Sequence, residues 1–392
     1  MMMKPHVFTM LVAVGIVVGG CTPAEIGRDA SGSVPLGAGS GCSAISVTAG
    51  GSLLFGANLD YRHHTRGQLF INPRGVRKTG IIPSATGVNA EWVSAHASVT
   101  FNFVGYHFPW GGMNEEGLVL STMALPQSVC PPPDHRPVVD SGFWLQYILD
   151  TCETVADVIA SDDLVRNITV DHYLVADRFG ASAVIEYIDG ELAVHTGEDL
   201  PVRVSTNWFY DRCLRMWNVY GGSGDYSWMD NSDQRFCIAA DRLSSFDGTT
   251  VDEGIEFAFD TLDAIAGQRF SEHASQWSMV FDTGAGRVHF KTFANPDLRY
   301  VDLKDFSPWC DGPVQMLDIH EPLFGDVGPW FKDYSHAEAL DHFLWFINFW
   351  ETTATPAWVG QVLRHFESYT CEPRLRLRRV TRRTRPGAAQ PR

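Results

Sequence analysis

The chain has no pair of cysteines at zinc-binding spacing and no cysteine–histidine cluster, so neither a structural metal nor a metal cofactor is expected. His63 and His64 form a lone pair, a pattern more typical of a surface than of a ligand set. No internal repeat is present. No apolar run reaches the ~20 residues that a membrane-spanning helix needs. Positive charge is scarce over most of the length. The net charge is −16, and eight of the 30 basic residues fall in the last 20 residues, where there is no acid, which leaves everything upstream at −24. That balance argues against nucleic acid as the main partner.

What is present begins with an export signal. Residues 1–21, "MMMKPHVFTMLVAVGIVVGGC", combine Lys4, an apolar run of about a dozen residues and small residues before a cysteine. The ending "VGGC" resembles a bacterial lipobox, which would make Cys21 a lipidated membrane anchor. A polar linker or pro-segment, 22–41, follows. The body of the protein is 42–306, a partly helical extension is 307–372, and 373–392 is a basic tail read as disordered. An exported location, periplasmic or membrane-anchored, is the expectation. Hydrophobic residues make up 45% of the chain, with 12 Trp and 24 Phe, enough to bury a large core.

Patterning gives the elements. "SAISV", the turn "TAGG" and "SLLFGANL" read as a hairpin with Cys42 at its start. Further alternating, strand-like segments are expected through "AEWVSAHASVTFNFVGYHF". Apolar residues at three- and four-residue spacing in "GFWLQYILDTCETVADVIAS" predict helix. "DHYLVADRFGASAVIEYIDGELAVH" contains a hairpin with an Asp-Gly turn. Helices are expected around 232–246 and 253–266, strands in "SQWSMVFDTGAGRVHFKTF", and two aromatic-rich helices in "SHAEALDHFLWFINFWE" and "PAWVGQVLRHFESY". Blocks of strands and helices in this order suit a sheet sandwich flanked by helices better than an alternating parallel fold.

Export permits disulfides. With Cys21 and Cys42 set aside, Cys130, Cys152, Cys213, Cys237, Cys310 and Cys371 could form three bridges in any of 15 pairings. Cys42 could be a disulfide partner or a small apolar residue opening a strand. It could also be a nucleophile. A cysteine that becomes the first residue of a mature chain carries its own general base, an α-amine of pKa ~8 beside a thiol of ~8.5. The glycine-rich stretch before it would then be a removable pro-segment.

"CSAI" with "LFGANLDY", then "GGMNEEGLVLS", "STNWF", "SDQRFCIAAD" and "SQWSMVFD", in that order from Cys42 to about Leu303, resemble the motifs of the choloylglycine hydrolase and penicillin V acylase family. The resemblance implies an α+β fold, a four-layer αββα sandwich of the N-terminal nucleophile hydrolase type, with an added C-terminal helical segment. It implies a cysteine-dependent hydrolase of linear, non-peptide N-acyl amides that needs no cofactor and takes a small-molecule substrate. It assigns Cys42 as nucleophile, Asp60 as the aspartate that holds the new α-amine, Asn114 and Asn207 as oxyanion binders, and Arg235 as a cation favouring thiolate.

Each residue also has a plainer reading. Asp60 could end a strand, Asn114 could make a tight turn, Asn207 could cap a helix, and Arg235, like its rival Arg242, could be a solvated charge. The chain departs from the family at Ala57, in "FGANLD", where many members carry an arginine; Arg62 is a substitute to consider. An acyltransferase on the same scaffold and a non-catalytic, lipid-anchored binding protein are the alternatives. Lipidation of Cys21 and cleavage before Cys42 conflict, because cleavage would release the enzyme from its anchor.

Overall fold

A computed structural model describes residues 40–61, 64–81, 87–168, 171–267, 274–349 and 355–372. The segment read as an export signal, Cys21, most of the expected linker, Arg62 and the basic tail lie outside the described residues.

The opening hairpin forms. Strand β1, Ser40–Ala49, turns through Gly50 and Gly51 into β2, Ser52–Tyr61. Both glycines have positive φ, 57° and 80°, the geometry of a two-residue type I′ turn that matches the twist of the strands. Pairing runs without slip from Ala49 opposite Ser52 to Ser40 opposite Tyr61. Cys42 therefore faces Leu59, and Gly41 faces Asp60. The hairpin begins two residues before Cys42, so the cysteine lies inside the paired region.

This hairpin lies in a seven-stranded sheet, ordered Val204–Ser205, β1, β2, Ala274–Asp282, Arg287–Thr292, Arg299–Asp302 and Gly325–Asp326. A nine-stranded sheet is built around Val119–Ala124, with Pro109–Asn114 on one side and Asp171–Ala176 on the other. The Asp-Gly turn expected in the second hairpin is present, with Asp189 at φ 53° and Gly190 at φ 86° between Ser182–Ile188 and Glu191–Thr196.

The two sheets pack face to face. Ser46 Oγ meets Ser182 Oγ at 3.0 Å across the gap, and a Cβ at Gly111 would lie 2.6 Å from the Met279 terminal methyl, which shows how closely the sheets approach. Helices cover both outer faces. Val251–Ala264 and Asn231–Ser244 lie on the first sheet, and Ser141–Thr151 lies on the second. The αββα sandwich is thus the architecture observed. Every residue of β2 is buried, because helices cover one face of it and the second sheet covers the other. A helix at Tyr210–Tyr220 adds to the expected set.

The C-terminal extension is woven into the body. Gln315–Asp318 pairs with Gln68–Asn72 inside the larger sheet, and Thr370–Cys371 pairs with Val76–Thr79. Helices His336–Phe349 and Pro356–Glu367 pack aromatic rings on the 103–108 turn: Phe346 sits 5.5 Å from Phe103, and Phe366 sits 5.7 Å from Phe108. Cys310 and Cys371 form a disulfide that staples this extension. Three bridges among the six cysteines are not what folds: Cys152, Cys213 and Cys237 are buried free thiols held apart inside the core.

Candidate active site

Pleating of β1 sends alternate side chains to opposite faces. Cys42, Ala44 and Ser46 point into the gap between the sheets, whereas Gly41 and Ser43 point toward the helices with Asp60 and Asn58. The helix side holds Arg235, in the first turns of Asn231–Ser244. Asn231, four residues earlier on the same helical face, accepts from Arg235 Nε at 2.9 Å and aims the guanidinium at β1. Arg235 then donates to the Cys42 carbonyl, to Ser43 Oγ at 2.5 Å and to Asn207 Oδ1 at 2.8 Å.

Asn207 arrives by strand register. Val204–Ser205 pairs antiparallel with β1, Ser205 opposite Ala44, and two further residues along the same direction bring Asn207 opposite Cys42. Its Oδ1 accepts the Cys42 backbone N–H at 2.8 Å, and its Nδ2 donates to the Ala124 carbonyl at 2.9 Å. Asn207 is thus no helix cap. Its own N–H donates to Ser232 Oγ at 2.9 Å, which ties it to the helix that carries Arg235.

Asp60 is 1% exposed. Its Oδ1 accepts from Ser275 Oγ, delivered by Ala274–Asp282 just before a β-bulge at Gln276. Its Oδ2 is buried and has no hydrogen-bond partner among the described residues. A Cβ placed on Gly41 would lie 3.3 Å from that oxygen and 3.4 Å from Arg235 Nη2, which sets Gly41 closely against both.

The electrostatics follow from burial. Desolvation raises the Asp60 carboxyl to about 6, against the pull of Arg235, Ser275 and a backbone hydrogen bond from Gly267. Desolvation, and then the Asp60 charge, push the Cys42 thiol far above its ordinary value, and Arg235 opposes them only in part. Arg235 pulls toward thiolate, the expected direction, without making Cys42 a thiolate in the uncut chain. Complete burial outweighs one guanidinium that is already shared among four acceptors.

Asn114 is not part of this cluster. It ends Pro109–Asn114, and its N–H donates to the Leu118 carbonyl at 2.9 Å, whereas the strand meets Asn207 at Ala124. Six residues at ~3.3 Å each put it about 20 Å from that end. All four of its side-chain contacts are structural: Nδ2 donates to the carbonyls of Leu149 and Cys152, and Oδ1 accepts from the N–H groups of Glu116 and Leu118. The tight-turn reading of "GGMNEEGL" describes it.

Arg242 also stays away, donating to Thr261 Oγ1 at 3.0 Å in the neighbouring helix. Ala57 is fully buried opposite Ala44 and Met279, on the inter-sheet face that Cys42 shares. Ser43, Ser275 and Ser232 are site residues that motif reading missed. Lone serines carry no spacing signal, and only strand pairing brings them in.

With this geometry in hand, comparison with known proteins is informative. The profile of the linear amide C-N hydrolases, choloylglycine hydrolase family, matches residues 42–250. A penicillin V acylase of Pectobacterium atrosepticum is 24% identical over 306 residues, covering 67% of this chain and 80% of the relative. Among solved structures, penicillin V acylase from Agrobacterium tumefaciens superposes with TM-score 0.65 at 22% identity, over 75% of this chain and 98% of that one. A mutant of conjugated bile acid hydrolase from Clostridium perfringens gives 0.58 at 17%, over 75% and 97%. The chain belongs to the choloylglycine hydrolase family of linear amide C-N hydrolases, and the family match begins at Cys42.

Proposed function

We propose that this linear amide C-N hydrolase works through an N-terminal Cys42, freed by cleavage of the Gly41–Cys42 bond, and that it is an exported enzyme acting on a non-peptide N-acyl amide. The observation that carries the reading is the unpartnered, buried Oδ2 of Asp60 beside Gly41. A buried carboxylate oxygen without a donor is costly. Removing Gly41 opens the space in front of it, and the new α-ammonium of Cys42 supplies the missing donor and the countercharge.

In the maturation step the Cys42 sulfur attacks the Gly41 carbonyl. The C–N bond breaks, Cys42 keeps the nitrogen as an amine, and water hydrolyses the thioester to release Gly41 as a carboxylate. The same parts then serve substrate. The α-amine takes the thiol proton, the sulfur attacks the acyl carbonyl, and the proton passes to the departing amine. Asn207, already against the Cys42 backbone, donates through Nδ2 to the developing oxyanion. Arg235 holds the Asn207 carboxamide oxygen and the Cys42 carbonyl, which keeps donor and nucleophile in register. Water completes the cycle by releasing the acid. The substrate class is a hydrophobic N-acyl amide of the penicillin V kind, a choice supported by the penicillin V acylase relative.

The test is the intact mass and N-terminal sequence of protein purified from an exporting bacterial host, followed by assay with penicillin V and a glycine-conjugated bile acid. A chain beginning at Cys42 that hydrolyses either amide is the expected result. A chain that keeps residues 22–41 and hydrolyses neither would overturn the reading and leave a lipid-anchored binding protein in its place.

A further inference from the structure

Behind Asn207 stands a buried ion pair from the opposite sheet, formed by residues that no sequence motif marks. His172 lies on Asp171–Ala176 and Glu186 on Ser182–Ile188, and the side chains of both are 0% exposed. His172 Nδ1 meets Glu186 Oε1 at 2.9 Å, and its Nε2 meets the Thr206 carbonyl at 2.5 Å. A carboxylate and a carbonyl can only accept, so the ring donates from both nitrogens as an imidazolium, balanced by Glu186. Glu186 is ionised: although burial raises its carboxyl, the hydrogen bond from His172 and the nearby His195 ring, Nε2 3.4 Å from Oε2, bring it down to about 2.

The same Glu186 Oε1 accepts the backbone N–H of Tyr210 at 2.9 Å. The pair therefore grips both ends of one short segment, Thr206 by its carbonyl and Tyr210 by its N–H. Asn207 lies inside that segment, and its peptide nitrogen belongs to the very peptide group whose carbonyl His172 holds. Other contacts fix the Thr206 hydroxyl and the Asn207 N–H to Ser232, but among the described residues only His172 holds the carbonyl. A buried charged pair of this kind adds little net stability compared with apolar packing, which makes its retention here informative about geometry.

We propose that His172, charge-balanced by Glu186, is a positioning residue for Asn207. It locks the Thr206–Asn207 peptide plane so that the Asn207 carboxamide meets Cys42. The inference rests on the reading of Asn207 as the oxyanion donor.

The test compares wild type with His172→Gln by backbone hydrogen exchange over 204–210 and by steady-state kinetics on penicillin V. The expected result for His172→Gln is exchange at the Asn207 amide about tenfold faster and kcat about tenfold lower with KM within about twofold. In an Asn207→Ala background the same change should lower kcat no further. Unchanged exchange in the variant, or an equal fractional loss of kcat in both backgrounds, would overturn the positioning role. Faster exchange with an unaltered kcat for Asn207→Ala would instead sink the oxyanion reading and leave the tether intact. Should wild type leave penicillin V uncut, the exchange measurement alone decides. Glu186→Gln, which keeps volume and the Tyr210 bond while removing the charge, provides a second variant if His172→Gln fails to fold. It is expected to raise exchange by about threefold, and no rise there overturns the proposal.

Discussion

Two asparagines, both in motifs that resemble the family's, sit at opposite ends of one strand and do different work. Asn207 and Asn114 each spend their carboxamide on several hydrogen bonds. Around Asn207 the partners are the nucleophile's own N–H, the Arg235 guanidinium and the end of Val119–Ala124. Around Asn114 they are four backbone groups of a turn and of the end of Ser141–Thr151. The chemistry of the side chain is the same in both places, so position alone separates a candidate catalytic donor from a structural clip. Position here comes from register: one asparagine is carried along β1 to Cys42, and the other is left about 20 Å away.

The sharpest break of this comparison is at the nucleophile. Cys42→Ala is expected to remove amide hydrolysis entirely and to leave Gly41 attached, read by product formation and intact mass. A processed and active Cys42→Ala chain would refute a role for the sulfur in both steps.

Next comes the asparagine at the site. Asn207→Ala should lower kcat by about 10²–10³ on the folded protein, the usual cost of one oxyanion donor, and should lower the urea midpoint too, because its carboxamide also holds the Cys42 N–H, Arg235 and the Ala124 carbonyl. Asn114→Ala should cost stability alone. It leaves two carbonyls and two N–H groups without their partner, a loss of about 3 kcal/mol in unfolding free energy. Its kcat on the folded protein should stay within about threefold of wild type. If Asn114→Ala instead loses turnover at unchanged stability, the assignment of the two residues must be exchanged.

The smallest effect concerns pH and Asp60. In the unfolded chain its carboxyl titrates near 3.9, and in the folded chain near 6. Between those values the folded state holds a proton that the unfolded state has released, so this group lowers stability as pH rises from about 4 to 6, and the full cost persists above 6. Asp60→Asn, made in the Cys42→Ala background to keep the chain uncut, should therefore stabilise more at pH 7.5 than at pH 4, measured by urea midpoints. An equal gain at both values would show that the carboxylate's charge is not the source.

Much of the fold was legible because its signals are local. Alternation in "SAISV" and "SLLFGANL" around Gly50–Gly51, the Asp-Gly turn at 189–190 and the helical spacing in 141–160 each specify an element within a few residues. The helix Tyr210–Tyr220 was not among the expected elements, although Tyr210, Cys213, Leu214 and Trp217 recur at i, i+3, i+4 and i+7 on its core face. Asp60 was legible through the resemblance at "GANLDY", and the two-residue turn is what sets it beside Gly41. His172, Glu186, Ser232 and Ser275 were not legible. Their roles depend on strands and helices far apart in the chain, and single histidines, glutamates and serines carry no spacing that announces a partner.

From the order of residues alone come the family, the opening hairpin and, through that hairpin, the pairing of Asp60 with the residue before Cys42. It took the assembled sheets to bring Asn207 to Cys42 and leave Asn114 away, to make Arg235 rather than Arg242 the clamp of the site, and to close a disulfide on the C-terminal extension while Cys152, Cys213 and Cys237 stay reduced. The reason is physical. Turn geometry sets register over a handful of residues, whereas which distant strand pairs with β1, and how the two sheets stack, depends on burying the whole core at once.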